Sequence, residues 1–250
     1  MKEQIHTVPV NEGFDANDEC PFCYMERAAE RSAIRFVAGP GASYMEPDVR
    51  AATARTGFCT SHMKNLYDYG NRLGTALMLQ THMTSLLDEM KSAAGNQKVP
   101  EKKGLFKKKV PIEDMPYHQI LKDRTTSCFI CDKVDYNMDR YYYTFFYLLK
   151  DEAFRNKVLS CKGFCLRHFA ALLETAEAYL PANLAEWFYP NMYRLTLEHF
   201  ERVKEELDFF ISKFDYRNAD KPWGNSQDAL PRAMQKLQGF YPTDPVYKDE

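Results

Sequence analysis

The feature that most constrains this chain is a pair of short cysteine and histidine motifs that occurs twice. A CPFC motif at residues 20–23 is followed by GFCTSH at 57–62, and CFIC at 128–131 is followed by GFCLRH at 163–168. Both cysteines of the second CxxC motif lie 108 residues after those of the first, and the later cysteine and histidine are offset by 106 residues. This regularity predicts two tandem copies of one unit.

The residue types in each copy predict a metal site. Two cysteines three residues apart on a tight turn can direct both sulfurs at one ion, and zinc takes four such ligands in a tetrahedron. The later cysteine and histidine are also three apart, at the start of a helical pattern, so both lie on one face of its first turn. Each copy therefore offers three thiolates and one imidazole, and we predict two structural zinc ions per chain.

Other chemistries for the same residues stay open at this point. An iron–sulfur centre usually takes four cysteines, and each copy offers three plus a histidine. A redox-active dithiol, or a metal-dependent hydrolase, would use one of the sites as a reaction centre, the hydrolase through an open coordination position. Cys161, the seventh cysteine, is four residues before Cys165 and is interpreted either as a packed or exposed thiol or as a replacement for His168.

The remainder of the chain has helical patterning. Residues 24–37 and 133–150 are predicted as helices that follow the CxxC turns, and Pro47 fits the first position of a short helix. After His62 the apolar pattern predicts one long helix that runs past two glycines to Met90. No run alternates with a period of two, so we predict an all-α fold. Its predicted segments are a first metal-binding helical repeat at 1–93, a basic linker at 94–117, a second repeat at 118–215, in which Pro181 and Pro190 interrupt the helical pattern, and a C-terminal extension at 216–250.

Composition excludes several classes of protein. The 250 residues are 45% hydrophobic and 27% charged, as in a folded globular protein, and the net charge of -2 does not favour nucleic acid or an anionic membrane. No run approaches the ~20 apolar residues of a membrane span, and the first 15 residues lack the apolar core of a secretion signal. We therefore expect a cytosolic protein whose cysteines stay reduced.

No glycine-rich phosphate loop, nucleophile elbow or HExxH helix indicates an enzyme. We interpret the chain as a binding or adaptor module with a protein partner. Its candidate contact regions are the linker, with six lysines between Lys98 and Lys109, and the aromatic tail from Lys221 to Glu250. In the alternative interpretation, residues 223–237 of the tail pack onto helices of the same chain.

The paired CPxC and GFCxxH motifs, the opening TVPVNE at 7–12 and the late KPWGNS at 221–226 with DALPRA at 228–233 resemble the bacterial domain-of-unknown-function family 6062. The resemblance implies a helical, metal-binding bacterial protein and no established activity. In the second CxxC motif Phe129 stands where the first has Pro21, which leaves chelation intact but removes a turn-fixing proline. The ligands that the resemblance implies are Cys20, Cys23, Cys59 and His62 for one site, and Cys128, Cys131, Cys165 and His168 for the other.

Overall fold

The computed structural model describes residues 6–41, 43–95, 111–239 and 241–242. These residues form eleven α-helices and five short 3₁₀-helices, and no β-strand occurs among them, so the predicted all-α fold is confirmed for this part of the chain. The helices are α1 Thr7–Asp15, α2 Pro21–Ala38, α3 Pro47–Thr56, α4 Thr60–Tyr69, α5 Arg72–Gly95, α6 Pro116–Thr126, α7 Phe129–Leu148, α8 Glu152–Ser160, α9 Leu166–Tyr179, α10 Ala185–Ser212 and α11 Ala229–Gln238.

The chain forms two compact units whose boundaries fall inside two helices. Within the described residues, the first unit contains residues 6–29 and everything from 135 onward, and the second contains those from 30 to 134. Helices α2 and α7 therefore each contribute one end to each unit. The boundaries predicted from the sequence make each repeat one continuous segment. Within the described residues, the first unit instead combines the two ends of the chain, and the second unit is the continuous stretch between them. Most of the predicted linker, residues 96–110, lies outside the described residues, as do residue 240 and residues 243–250 of the predicted extension.

The first unit has an aromatic core. The ring of Phe14 in α1 stacks on Phe145 of α7 at 5.7 Å between centroids, and Phe22 of α2 lies 4.6 Å from Tyr142. Such ring contacts add to the free energy of apolar burial. Helix α11 packs against α9 and α10. The alternative in which residues 223–237 fold back onto helices of the same chain is therefore the one that the structure supports.

The second unit is built mainly from α3 and α5, which pack together, with α6 against α5. The single long helix predicted after His62 is wrong, because α4 ends before Gly70 and α5 begins at Arg72. Gly70 has φ +99, a left-handed conformation that glycine adopts without steric cost. Gly74 is buried, and a Cβ there would lie 2.8 Å from the ring of Tyr44, so this glycine allows a close approach.

Proline positions explain several other helix ends. Pro47 is the first residue of α3, as predicted, and Pro181 falls between α9 and α10. The predicted interruption at Pro190 is wrong, because this residue lies inside α10. Only five helical residues precede it, so its missing N–H removes one hydrogen bond near the beginning of the helix. None of the helices in the described part of the chain combines the length and apolar character that a membrane span needs.

Candidate metal centres

All eight predicted ligands gather in two clusters of four, each within one unit. Each residue contributes one ligand atom, and the four atoms of a cluster lie within 4.8 Å of one another. The seven cysteines are all free thiols. Cluster A, in the first unit, consists of Cys20, Cys23, Cys165 and His168, and cluster B, in the second unit, consists of Cys59, His62, Cys128 and Cys131.

The grouping predicted from the sequence is wrong. Each cluster combines the CxxC motif of one copy with the Cys and His of the other, so neither predicted set, Cys20, Cys23, Cys59 and His62 or Cys128, Cys131, Cys165 and His168, comes together. The physical reason is the course of two helices. Helix α2 begins beside cluster A in the first unit and ends in the second, and α7 begins beside cluster B and ends in the first.

Helix beginnings position the ligands of cluster A. Cys20 directly precedes α2, where its backbone N–H donates to Oδ1 of Asp18 at 3.0 Å, and Cys23 lies in the first turn. Cys165 is the N-cap of α9, and its sulfur accepts a hydrogen bond from the backbone N–H of His168 at 3.4 Å. The positive end of a helix favours a thiolate at such a position.

A direct backbone contact joins the two turns of cluster B. The N–H of Phe129 donates to the carbonyl oxygen of Gly57 at 2.9 Å. Proline stands at the equivalent position of the first motif and has no N–H, so only the second motif can donate this hydrogen bond. Gly57 has φ +62, and a Cβ there would lie 2.6 Å from the ring of His82. This turn therefore requires glycine both for its backbone conformation and for space.

The donor spacing in both clusters matches a tetrahedral zinc shell. A zinc ion with bonds of about 2.3 Å to sulfur and about 2.0 Å to nitrogen sets sulfurs about 3.8 Å apart and sulfur about 3.5 Å from nitrogen. The sulfurs of Cys23 and Cys165 lie 3.6 Å apart, and those of Cys59 and Cys131 lie 3.9 Å apart. The Nδ1 atoms of the two histidines lie 3.2–3.5 Å from the three sulfurs around them. The residues present therefore fit a single tetrahedral ion in each cluster.

Both histidines direct Nδ1 at the sulfurs and Nε2 at a glutamate of α2. Nε2 of His62 lies 2.8 Å from Oε1 of Glu30, and Nε2 of His168 lies 3.5 Å from Oε2 of Glu26. A carboxylate on the outer nitrogen fixes the tautomer that leaves the other nitrogen free to bind metal. Sequence reasoning missed both glutamates. The sequence signal that could have identified them is their position three and seven residues after Cys23, which places both on the same face of the helix as that cysteine.

The thiols of cluster A share their protons unequally. Hydrogen bonds from Cys20 and Cys23 hold the pKa of Cys165 far below its usual range. The pKa of Cys23 is raised, first by its bond to Cys165 and then by Cys20, and burial raises that of Cys20. One thiolate is therefore favoured, while neighbouring negative charge opposes a second and third. A divalent cation among the sulfurs would offset this repulsion and displace the protons.

In the metal-free protein, the pKa shifts in cluster B favour a thiolate at Cys128 and an imidazolium at His62. Burial raises the pKa of Cys128, but its hydrogen bond with His62 and bonds from backbone N–H groups outweigh this and lower the value to about 6. Burial likewise lowers the pKa of His62, yet its bonds to Cys128 and Glu30 raise it to about 10. The pKa of Cys131 is raised by burial and by the charge of Cys128. A bound cation would release the imidazole proton.

Arg167 of α9 and Lys236 of α11 form hydrogen bonds with residues next to the ligands of cluster A. Nη1 of Arg167 donates to Oε1 of Glu26 at 2.6 Å, and a Cβ on Gly239 would lie 3.0 Å from this guanidinium and 3.5 Å from the sulfur of Cys23. Lys236 is only 1% exposed, and its Nζ donates to the carbonyl oxygen of Glu19 at 2.6 Å. Arg167 belongs to the GFCLRH motif, but both hydrogen bonds join residues more than 140 positions apart, so the spacing within the motifs does not predict them.

The other candidate residues lie outside both clusters. Cys161 is the C-cap of α8, where burial raises its thiol pKa to about 11. It does not replace His168, because cluster A contains the histidine and not this cysteine. Nδ1 of His82 lies 2.7 Å from the carbonyl oxygen of Ala54, and His199 accepts a hydrogen bond from Nε of Arg202 at 3.1 Å. Neither histidine is a member of a cluster.

Fold and clusters together define an all-helical protein with two Cys₃His groups that can hold metal ions. The model of the family of unknown function DUF6062 matches residues 1–244, and the chain belongs to this family. Neither a curated protein nor a solved structure matches the chain.

Proposed function

We propose that each cluster binds one zinc ion and that the two ions stabilise a helical binding module. The observation that carries the proposal is the donor geometry. In each cluster three sulfurs and one imidazole nitrogen lie within 4.8 Å of one another, and Nδ1 lies 3.2–3.5 Å from every sulfur, as in a tetrahedral zinc shell. We also propose that the protein works in the reducing cytosol, where its seven cysteines would not form disulfides.

Elemental mass spectrometry tests the identity of the metal. Protein purified under reducing, metal-replete conditions is expected to carry two zinc ions per chain. Because several irons with separate cysteine ligands need more widely spaced sulfurs, we expect no iron–sulfur absorption after anaerobic purification. Purified protein with no zinc, or with iron and inorganic sulfide, contradicts the proposal.

A structural role follows from the complete set of protein ligands. Four protein donors leave no coordination position for a reactive water, whereas catalytic zinc sites keep one open. X-ray absorption at the zinc edge is therefore expected to show sulfur and nitrogen neighbours in a ratio of three to one. An oxygen neighbour at either ion would favour the metal-dependent hydrolase.

A protein partner is proposed because α5 carries an exposed apolar face. Leu73, Met83 and Leu87 are 69%, 59% and 48% exposed, and their spacing places them on one side of the helix. Affinity purification from the source cells is expected to recover a protein with the wild-type chain and to lose it with Met83→Glu. The matched control is Ser92→Glu, which adds the same charge at an exposed polar position on the opposite side of α5. Equal recovery by all three baits would exclude this face as the contact.

A further inference from the structure

The two clusters differ in how far solvent reaches their sulfurs. All four ligands of cluster A are buried, whereas Cys59 and Cys131 of cluster B are half-buried. These two residues are also neighbours, with their sulfurs 3.9 Å apart. In cluster A the corresponding neighbours, Cys23 and Cys165, are both buried. Since oxidants reach exposed thiolates more easily than buried ones, the clusters should respond to them differently.

We propose that cluster B is an oxidant-sensitive zinc site, in which a hydroperoxide converts Cys59 and Cys131 to a disulfide and releases the metal. This inference rests on the zinc occupancy proposed above. It assigns the two sites different functions, with cluster A holding its ion permanently and cluster B holding an ion that oxidation removes.

The reaction balances with one hydroperoxide per zinc ion. One thiolate of the pair attacks the peroxide, whose O–O bond breaks, so that a sulfenic acid forms and an alkoxide leaves as the alcohol after taking a proton from solvent. The second thiolate attacks the sulfenic sulfur, a sulfur–sulfur bond forms, and hydroxide leaves and is protonated to water. The two sulfurs lose two electrons together, and the peroxide gains them.

Loss of these two ligands leaves the zinc ion with Cys128 and His62 alone, half of its tetrahedral shell. The reacting sulfurs must approach from 3.9 Å to a bond length of about 2.0 Å. Cys59 is the N-cap of α4, and Cys131 lies in the first turn of α7. Both sulfurs are thus carried at helix beginnings, where side-chain rotation can bring them together.

The test uses the full-length, zinc-loaded wild-type protein. Its zinc content is measured first, and one equivalent of hydrogen peroxide is then added in the presence of a chromogenic zinc chelator. We expect one of the two ions to be released while the other stays bound, and peptide mapping to show a disulfide between Cys59 and Cys131. Cys161→Ser serves as the control, because its missing thiol lies outside both clusters.

Each other outcome overturns the inference. Release of both ions at the same rate, release with cysteines 20, 23 and 165 oxidised, or no release would refute the difference between the clusters. The wild-type mapping needs no variant, so misfolding of a cysteine mutant cannot obscure the result. Absence of zinc before peroxide is added would instead refute the proposed function, and the first measurement separates the two failures.

Discussion

The crossed grouping of ligands predicts which double substitutions remove one metal ion and which remove both. Cys23 and Cys165 belong to one cluster, so the variant Cys23→Ser with Cys165→Ser should keep the ion of cluster B. Cys23→Ser with Cys59→Ser affects both clusters and should keep none. Ligands grouped within each sequence copy would give the reverse result. Cys161→Ser is the control and should keep two ions.

Loop closure gives the magnitude of the accompanying loss of stability. An ion in cluster A joins Cys23 to Cys165 across 142 positions of the chain, and one in cluster B joins Cys59 to Cys131 across 72. Cross-links over such loops lower the conformational entropy of the unfolded chain. At 25 °C this stabilises the folded protein by about 5 kcal/mol for cluster A and about 4 kcal/mol for cluster B. For a chain of this size, each loss corresponds to a fall of roughly 10 to 20 °C in melting temperature.

Native mass spectrometry of the purified variants counts the bound ions, and calorimetry with and without a zinc chelator measures the change in stability. Two results would refute the reasoning. The first is one retained ion in the variant with both Cys23 and Cys59 replaced. The second is a melting temperature that chelation leaves unchanged in the wild-type protein, because a structural ion must contribute to folding.

Three further predictions concern residues around the clusters. Glu30→Gln should weaken zinc binding by roughly 10- to 100-fold in a competition assay with a fluorescent chelator. Glu26→Gln should have a smaller effect, because this carboxylate lies farther from its histidine and also binds an arginine. Gly57→Ala should destabilise the protein to denaturant by at least about 2 kcal/mol, whereas Gly95→Ala, at a position with open space, should not. Because burial lowers the pKa of Lys236 below 10.5, the folded protein binds fewer protons than the unfolded chain, and wild-type stability should rise relative to Lys236→Met between pH 7 and 10. A constant difference across this range would contradict the last prediction.

The helical patterns and the ligand residues could be predicted because their signals are local. A proline at the first helical position and a CxxC turn act over a few residues, and Pro47 and Cys20 occupy the positions that these rules give them. The break between α4 and α5 was missed because glycine is tolerated inside helices as well as at their ends. Only the φ of +99 at Gly70 distinguishes the two cases.

The grouping of ligands could not be predicted from spacing, because both groupings satisfy it equally. Each CxxC turn can chelate with either copy's cysteine and histidine, and the choice depends on which turns the tertiary fold brings together. In cluster B the hydrogen bond from the N–H of Phe129 to the carbonyl oxygen of Gly57 joins the two turns, and its two residues are more than 70 positions apart in the sequence. The carboxylates of Glu26 and Glu30 depend on the same tertiary arrangement.

The crossed grouping also makes the two loops nested. The segment that cluster B closes, between Cys59 and Cys131, lies entirely within the segment that cluster A closes, between Cys23 and Cys165. Closing the inner loop of 72 positions shortens the outer one from 142 to about half that length, and each halving of a loop lowers its closure cost by about 0.6 kcal/mol. Metal binding at cluster B therefore favours closure of cluster A by a factor of about three. Ligands grouped within each copy would form two separate loops, and neither ion would shorten the other's loop.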